Sequence, residues 1–300
     1  MKVVEKIQAK VVPSTIQLAY LGIQTVDLDF NVMTFKDGSV FVKLKNPEAV
    51  TKGSSVYIEA YLENMNDLMQ VAQMKDIVCR LAGNNAITTV LTITSPMYSR
   101  YDRVMLDDQS DSFGAKVFGD FVRAMKFSII RYVDCHSRVL VDYSHPAHTV
   151  TQYDLFQHMK NTYPELDDML QIVPDKGACV KNQRGAIVMN KTRDVTNGKI
   201  TGQYVEKAYT IDPDKRYIVV DDLCEGGGTF LGLASVLQES YPQLSRPNLY
   251  VSHGLFTNDA IPKLLKAYTN IYVYIMKRSV HEQLTGEEQQ RVKVLYLVNA

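Results

Sequence analysis

Apolar and polar positions along the chain fall into two periods, one suited to strands and one to helices. Residues 39–44 (SVFVKL) and 55–60 (SVYIEA) are rich in β-branched and aromatic residues and predict strands, the first after a turn at Lys36-Asp37-Gly38. Residues 66–82 (NDLMQVAQMKDIVCRLA) carry apolar side chains at helical spacing, with Asn66 or Asp67 as the expected cap. Residues 86–99 predict a strand entering a loop, 112–126 a helix, and 127–137 (FSIIRYVDCHS) a buried strand ending at a histidine. The second half repeats the logic, with a helix at 154–163, a strand into a loop and helix at 169–183, and a strand at 185–194 (GAIVMNKTRD). A strand at 217–220 (YIVV), a helix from 230, a strand at 247–257, a helix at 258–268 and a strand at 270–277 complete it. Alternating strands and helices predict an α/β fold of mostly parallel sheets flanked by helices. Two similar Rossmann-like halves are the economical arrangement, residues 1–148 and 149–300, with the boundary in the polar run around residue 148.

Residues 217–229 (YIVVDDLCEGGGT) are the most informative stretch. An apolar strand is followed by Asp221 and Asp222 at its C-terminal end, then Glu225, then Gly226, Gly227, Gly228 and Thr229 opening a helix. Glycines let the backbone aim several N–H groups at one anion, and a helix N-terminus adds its dipole. Carboxylates do not bind phosphate; they accept sugar hydroxyls or hold a cation. A phosphorylated sugar is the implied ligand. The spacing is neither the Walker pattern nor GxGxxG with a downstream acid.

Other polar residues follow predicted strands, where open α/β sheets place function. They are Arg100-Tyr101-Asp102-Arg103, His136, Pro174-Asp175-Lys176-Gly177, Lys191 with Arg193, and His253-Gly254.

Composition narrows the class only a little. Formal net charge is zero, giving no global case for nucleic acid or an anionic membrane. No apolar run approaches the ~20 residues of a membrane-spanning helix, and the N-terminus carries charges throughout with no signal-peptide core. The four cysteines, Cys79, Cys135, Cys179 and Cys224, are scattered, with no CxxC pair, as expected of reduced thiols in a cytoplasmic protein.

The sugar-phosphate stretch resembles the ribose-phosphate loop of the type I phosphoribosyltransferase fold, through Asp221, Asp222, Glu225, Gly228 and Thr229. Eight segments in order are similar to the ribose-phosphate diphosphokinase family: TFKDGSV (34–40), NMNDLMQ (64–70), YSRYDR (98–103), YVDCHS (132–137), VPDKGACVK (173–181), MNKTR (189–193), VVDDLCEGGGT (219–229) and SHGLFTNDAI (252–261). The resemblance implies Mg2+-dependent transfer of the β,γ-diphosphoryl group of ATP to the anomeric hydroxyl of ribose 5-phosphate. It implies Lys191 and Arg193 as a catalytic pair on a flexible loop, and His136 at the nucleotide and magnesium site. Asp175 would hold metal or ribose hydroxyls, and Arg100, Tyr101 and Asp102 would bind ATP. Phe35 and Asp37 would form an adenine-contacting hairpin supplied by a neighbouring subunit, implying a homo-oligomer, dimer or hexamer, with a shared active site. Asp221 and Asp222 would grip the ribose hydroxyls, and residues 226–229 the 5-phosphate.

The chain also departs from the family pattern. Ser39 replaces an acidic residue of the hairpin, and Tyr101 replaces a glutamine. The 5-phosphate loop, usually D-T-x-G-T, is Glu225-Gly226-Gly227-Gly228-Thr229 here, one hydroxyl ligand fewer. The segment at 105–111 is acidic, which argues against regulation by phosphate. The open loop admits drift or a bulkier 5-substituent, such as the diphosphate of ADP-ribose. A silent regulatory member or a phosphoribosyltransferase are the other readings. Retention of Lys191, Arg193, His136 and both aspartates argues against the silent member, and the YSRYDR, VDCH and KTR segments against the transferase.

Overall fold

The computed structural model describes residues 1–12, 25–83, 87–95, 97–106, 108–175, 187–193, 200–205 and 211–300. The chain divides into two compact units, one of Glu5–Val150 and one of Thr151–Asn299 that also takes in Met1–Val4. The second unit's outermost strand is therefore β1 (Lys2–Glu5), from the very start of the sequence.

The first unit contains β2 (Ile7–Val12), β3 (Val26–Leu28), β4 (Phe30–Thr34), β5 (Val40–Leu44), β6 (Ser55–Ala60), α1 (Met65–Leu81), β7 (Thr88–Ile93), α2 (Gly114–Ala124), β8 (Ile129–Val133), α3 (Val139–Tyr143) and β9 (Ala147–Val150). Its sheet runs β3-β2-β6-β7-β8-β9. The pairs from β6 to β9 are parallel, while β2 is antiparallel to both neighbours. The polar run read from sequence as linker is thus partly strand. β9 has no fully buried residue, so its apolar signal is weak, and it is held by pairing with β8.

Helix α1 is capped two residues before Asn66 and three before Asp67, the caps expected from the sequence. Asn64 is the N-cap: its side chain accepts from the N–H groups of Asn66 and Asp67, and Asp67 reaches back to the Asn64 N–H at 3.1 Å. The Asn64 backbone is extended, φ −155° and ψ 176°, and the reciprocal arrangement with Asp67 is a capping box. Asp67 is buried, and Lys6 Nζ lies 3.0 Å from it and 2.7 Å from Glu63. Leu68, Val71, Met74 and Val78 of α1 pack with Phe118 and Val122 of α2 into the core over Val56, Ile58, Leu91 and Ile130.

The second unit contains α4 (Gln152–Thr162), β10 (Leu170–Val173), β11 (Ile187–Arg193), β12 (Ile200–Val205), β13 (Tyr217–Cys224), α5 (Gly228–Ser240), β14 (Asn248–Gly254), α6 (Ala260–Ala267), β15 (Ile271–Lys277), α7 (Arg278–Glu282), α8 (Gly286–Arg291) and β16 (Val292–Asn299). Its sheet order is β1-β16-β15-β14-β13-β10-β11-β12, parallel from β16 to β11, with β12 antiparallel to β11. Strand alternation divides the core between two faces. Val219 of β13 packs with Phe230 and Leu233 of α5 and Leu264 of α6, whereas Ile218 and Val220 pack with Phe156 and Met159 of α4. Strand order reverses between β10 and β13, the switch point at which open α/β sheets bind ligands in a crevice outside the C-terminal strand ends.

Candidate functional site

β13 runs four residues further than the sequence suggests. Asp221 and Asp222 lie inside it rather than after it, with Asp221 half-buried and Asp222 buried. Successive strand side chains point to opposite faces. Asp221 therefore shares the face of Val219 and α5, and Asp222 the face of Val220. Their side chains leave the strand in opposite directions. Asp221 Oδ1 accepts the backbone N–H of Asp222 at 2.9 Å.

The strand ends at Cys224, buried so completely that its thiol is pushed up to about 12, with the nearby Asp221 charge adding to the effect of burial. Glu225 and Gly226 are exposed. Gly227 then caps α5 in the left-handed region, φ +76°. A Cβ on Gly227 would stand 3.3 Å from the Leu264 side chain, so this position needs glycine twice over. The other two do not. A Cβ on Gly228 would meet nothing within 4 Å, and one on Gly226 only ordinary neighbours at 3.9 Å, Thr257 Oγ1 and Asn258 Nδ2. Gly228 and Thr229 are the first residues of α5, where backbone N–H groups have no partner within the helix. This N-terminus suits an anion.

The loop after β14 closes beside it. Leu255 and Phe256 donate their N–H groups to Cys224 O at 2.9 and 3.2 Å, and Thr257 donates to Glu225 O at 3.1 Å. Register explains the meeting, since Cys224 pairs with Gly254 and both chains leave the sheet together. Thr257 and Asn258 were not legible as site residues from the sequence. They stand in the family-like segment at 252–261, after a strand end carrying His253, which is buried in the structure, but nothing in that segment gave them a role.

Asp175, half-buried, stands two residues past β10, at the same end of the sheet as the acidic pair on neighbouring β13. The resemblance implies a loop for Lys191 and Arg193, while the residue pattern places them in the strand expected at 185–194. Their backbone continues β11, as that strand predicts, in an antiparallel ribbon, Lys191 opposite Gln203 and Arg193 opposite Ile200, with a register shift between Thr192 and Arg193. The loop and helix expected at 176–183, with Lys176, Gly177 and Cys179, lie outside the described residues.

In the first unit, Arg100, Tyr101 and Asp102 follow β7, and His136 follows its parallel neighbour β8. β8 stops at Val133, three residues short of the histidine. Asp134 is left-handed, φ 43°, buried, and donates its N–H to Val150 O at 2.9 Å, which turns the chain so that His136 emerges exposed. Arg100 is exposed, and Tyr101 is 62% exposed. Tyr101 sits close against Gly114, where a Cβ would stand 3.0 Å from its own, and Tyr98 packs between Tyr101 and Phe118. Phe35 and Asp37 lie apart, at the tip of the β4–β5 hairpin, which forms a sheet of its own. Gln73 of α1 holds it like a strand partner, accepting from Val42 N–H at 3.0 Å and donating to Val40 O at 2.7 Å. At the tip, the Ser39 hydroxyl and N–H both donate to Asp37 Oδ1, at 2.7 and 2.9 Å. Those two bonds hold the Asp37 carboxyl below the usual carboxylate value.

Magnesium prefers hard oxygen donors and usually takes one or two carboxylates plus substrate phosphates and water. Asp175 and the acidic pair fit that demand. His136 offers nitrogen, and it lies in the other unit from Asp175. Among the described residues no three His, Cys, Asp or Glu side chains form a self-sufficient metal cage. Nor is any described helix long and apolar enough to cross a membrane.

No protein-family model matches the chain. Curated relatives do. A ribose-phosphate pyrophosphokinase of Aquifex aeolicus is 24% identical over 284 residues, covering 89% of this chain and 84% of its own. That of Mycoplasma genitalium is 22% identical over 240 residues, 78% and 69% of the two chains, and that of Pyrococcus abyssi 23% over 262 residues, 82% and 83%. The crystal structure of phosphoribosylpyrophosphate synthetase from Mycobacterium smegmatis superposes with a TM-score of 0.64 at 20% identity, over 90% of this chain and 86% of that one.

Proposed function

We propose that this chain, a divergent relative of the ribose-phosphate pyrophosphokinases with the fold of a phosphoribosylpyrophosphate synthetase, transfers the β,γ-diphosphoryl group of ATP to the anomeric hydroxyl of a ribose 5-phosphate-type acceptor. The products are the sugar 1-diphosphate and AMP. One observation carries the reading: an acidic pair on β13 runs into a left-handed glycine cap at the N-terminus of α5, beside the crevice at the end of β10.

Each half of that stretch has its own task. The N–H groups at the start of α5 receive the 5-phosphate. Asp221 and Asp222 take ribose hydroxyls from the two faces of their strand. Lys191 and Arg193 supply positive charge to the diphosphoryl group in flight, since phosphoryl transfer asks mainly for positioning and charge neutralisation. Arg100, Tyr101, Asp102 and His136 serve the nucleotide, with Phe35 and Asp37 offered by the hairpin of a neighbouring copy. Asp175 would hold Mg2+ together with phosphate oxygens, where the ion neutralises charge on the triphosphate when bound.

A second acceptor reading rests on Gly226 and Gly228. Neither is demanded by backbone or packing, so the space a side chain would fill beside the phosphate loop is left open. That space suits a 5-diphosphate as in ADP-ribose.

AMP release from Mg-ATP, with ribose 5-phosphate and ADP-ribose offered in parallel and Lys191→Ala as control, tests both. Turnover with ribose 5-phosphate alone supports the ordinary acceptor, and turnover chiefly with ADP-ribose the extended one. No turnover above the Lys191→Ala control with either acceptor overturns the enzymatic reading in favour of a regulatory role.

A further inference from the structure

The side chains facing Gly226 belong to two spaces at once. Thr257 and Asn258, whose polar atoms stand 3.9 Å from a Cβ on Gly226, also line a cavity of about 670 Å3. Lys277, Ser279, Gln283 and Glu288 also line it, with Pro262 and Leu284 supplying apolar surface. A volume of this order is typical of sites that hold nucleotide-sized molecules.

The dividing loop is built rather than slack. Phe256, Asn258 and Asp259 all adopt left-handed backbone, φ 47°, 57° and 53°, a region that Asn and Asp tolerate but that costs Phe256 roughly 1 kcal/mol or more. The conformation is held by the three backbone bonds onto Cys224 and Glu225 and by the seat of Phe256 over Gly254, where a Cβ would come within 2.1 Å of its ring. A loop so fixed keeps Thr257 and Asn258 between the glycine loop and the cavity.

We infer that this cavity is the distal subsite of a 5-extended acceptor, taking the nucleoside joined to the ribose through a diphosphate. The inference rests on the second acceptor reading above. A phosphate seated on α5 and extended over Gly226 meets the Thr257 hydroxyl and the Asn258 amide, both hydrogen-bond donors. Beyond them the Lys277 ammonium complements the second phosphate. Asp259 accepts sugar hydroxyls, as does Glu288 through Oε1, its Oε2 being held by the Thr285 N–H and hydroxyl at 2.8 and 2.9 Å, and Pro262 and Leu284 offer apolar contact to a base. The mixed lining suits neither a lipid tail nor an inorganic ion.

The test uses the full chain and ADP-ribose as probe, by calorimetric titration and by the AMP assay, on the wild type and on Ser279→Trp. Ser279 is exposed on α7, so the indole fills the cavity without entering the core. At least a tenfold weaker ADP-ribose affinity in Ser279→Trp, with a matching fall in the ratio of kcat/KM for ADP-ribose to that for ribose 5-phosphate, is expected. Equal affinities, or equal losses with both acceptors, overturn the subsite. If Ser279→Trp does not fold, Gln283→Trp, also exposed, serves in its place. If the wild type binds no ADP-ribose, the extended-acceptor reading itself fails. If it binds and turns over ADP-ribose but the variant ratio stays put, only the subsite assignment fails.

Discussion

Asp221 Oδ1 and the backbone N–H of Asp222 are hydrogen-bonded at 2.9 Å, so the first carboxylate of the acidic pair is tied to the strand by the residue that follows it. The bond gives Asp221 a structural task within the strand. Asp221→Ala removes it and is expected to cost about 1 kcal/mol. Asp221→Asn keeps an oxygen acceptor there and should lose less than half as much. Urea denaturation of both variants reads the difference, and identical losses would show that the bond contributes nothing. Both variants should still lose at least tenfold in kcat/KM for the sugar acceptor.

The three glycines separate in a stability measurement. Gly227→Ala forces a side chain into left-handed backbone and against Leu264, and is expected to cost roughly 1–2 kcal/mol. Gly228→Ala meets open space in the first turn of a helix and should be neutral, or stabilising by up to about 1 kcal/mol. Calorimetric melting resolves the two, and a Gly228→Ala loss as large as that of Gly227→Ala would refute the distinction.

Lys6 links folding to alkaline pH. Burial alone would depress its pKa, but hydrogen bonds to Glu63 and Asp67 outweigh it and raise the value above the usual 10.5. A cation whose folded pKa is raised lends stability that is fully present below its unfolded pKa and fades as pH climbs through the folded one. The loss should therefore begin above about pH 10.5. Subtracting the stability of Lys6→Met from that of the wild type, pH by pH, isolates it from tyrosine ionisation. A difference that stays flat up to pH 12 would contradict the assignment.

Asp37 offers a spectroscopic check. Its carboxyl titrates below 3.8 because the Ser39 hydroxyl and N–H both donate to it. Ser39→Ala removes the hydroxyl, and the carboxyl carbon resonance should then titrate at higher pH, towards 3.8. An unmoved midpoint would mean that the hydroxyl points elsewhere in solution.

What the sequence revealed follows the range of the interactions involved. The strand at 55–60 coincides with β6 because its apolar alternation is local. The cap at Asn64 was equally local, but Asn64, Asn66 and Asp67 all suit a cap, and Asp67 has Gln70 at the same spacing that Asn64 has Asp67, so the local pattern left the choice open. β9 and β1 carry little apolar contrast and exist by pairing with neighbours. β16 has a strong apolar pattern (VKVLYLVN) in a stretch to which the sequence reading assigned no element. In the site, the acidic pair and glycines stand in one continuous run and could be read directly. Thr257 and Asn258 arrive some thirty residues later through the register of β13 with β14, a relation that no local pattern carries.

Leu264 belongs to α6, one strand–helix unit beyond the loop whose cap it touches. The left-handed glycine and this leucine therefore cannot vary independently. A larger residue at either position calls for a compensating change at the other. Gly226 and Gly228 carry no such debt. Descendants of this sequence can explore new sugars at those two positions while the Gly227–Leu264 pair keeps the loop in shape.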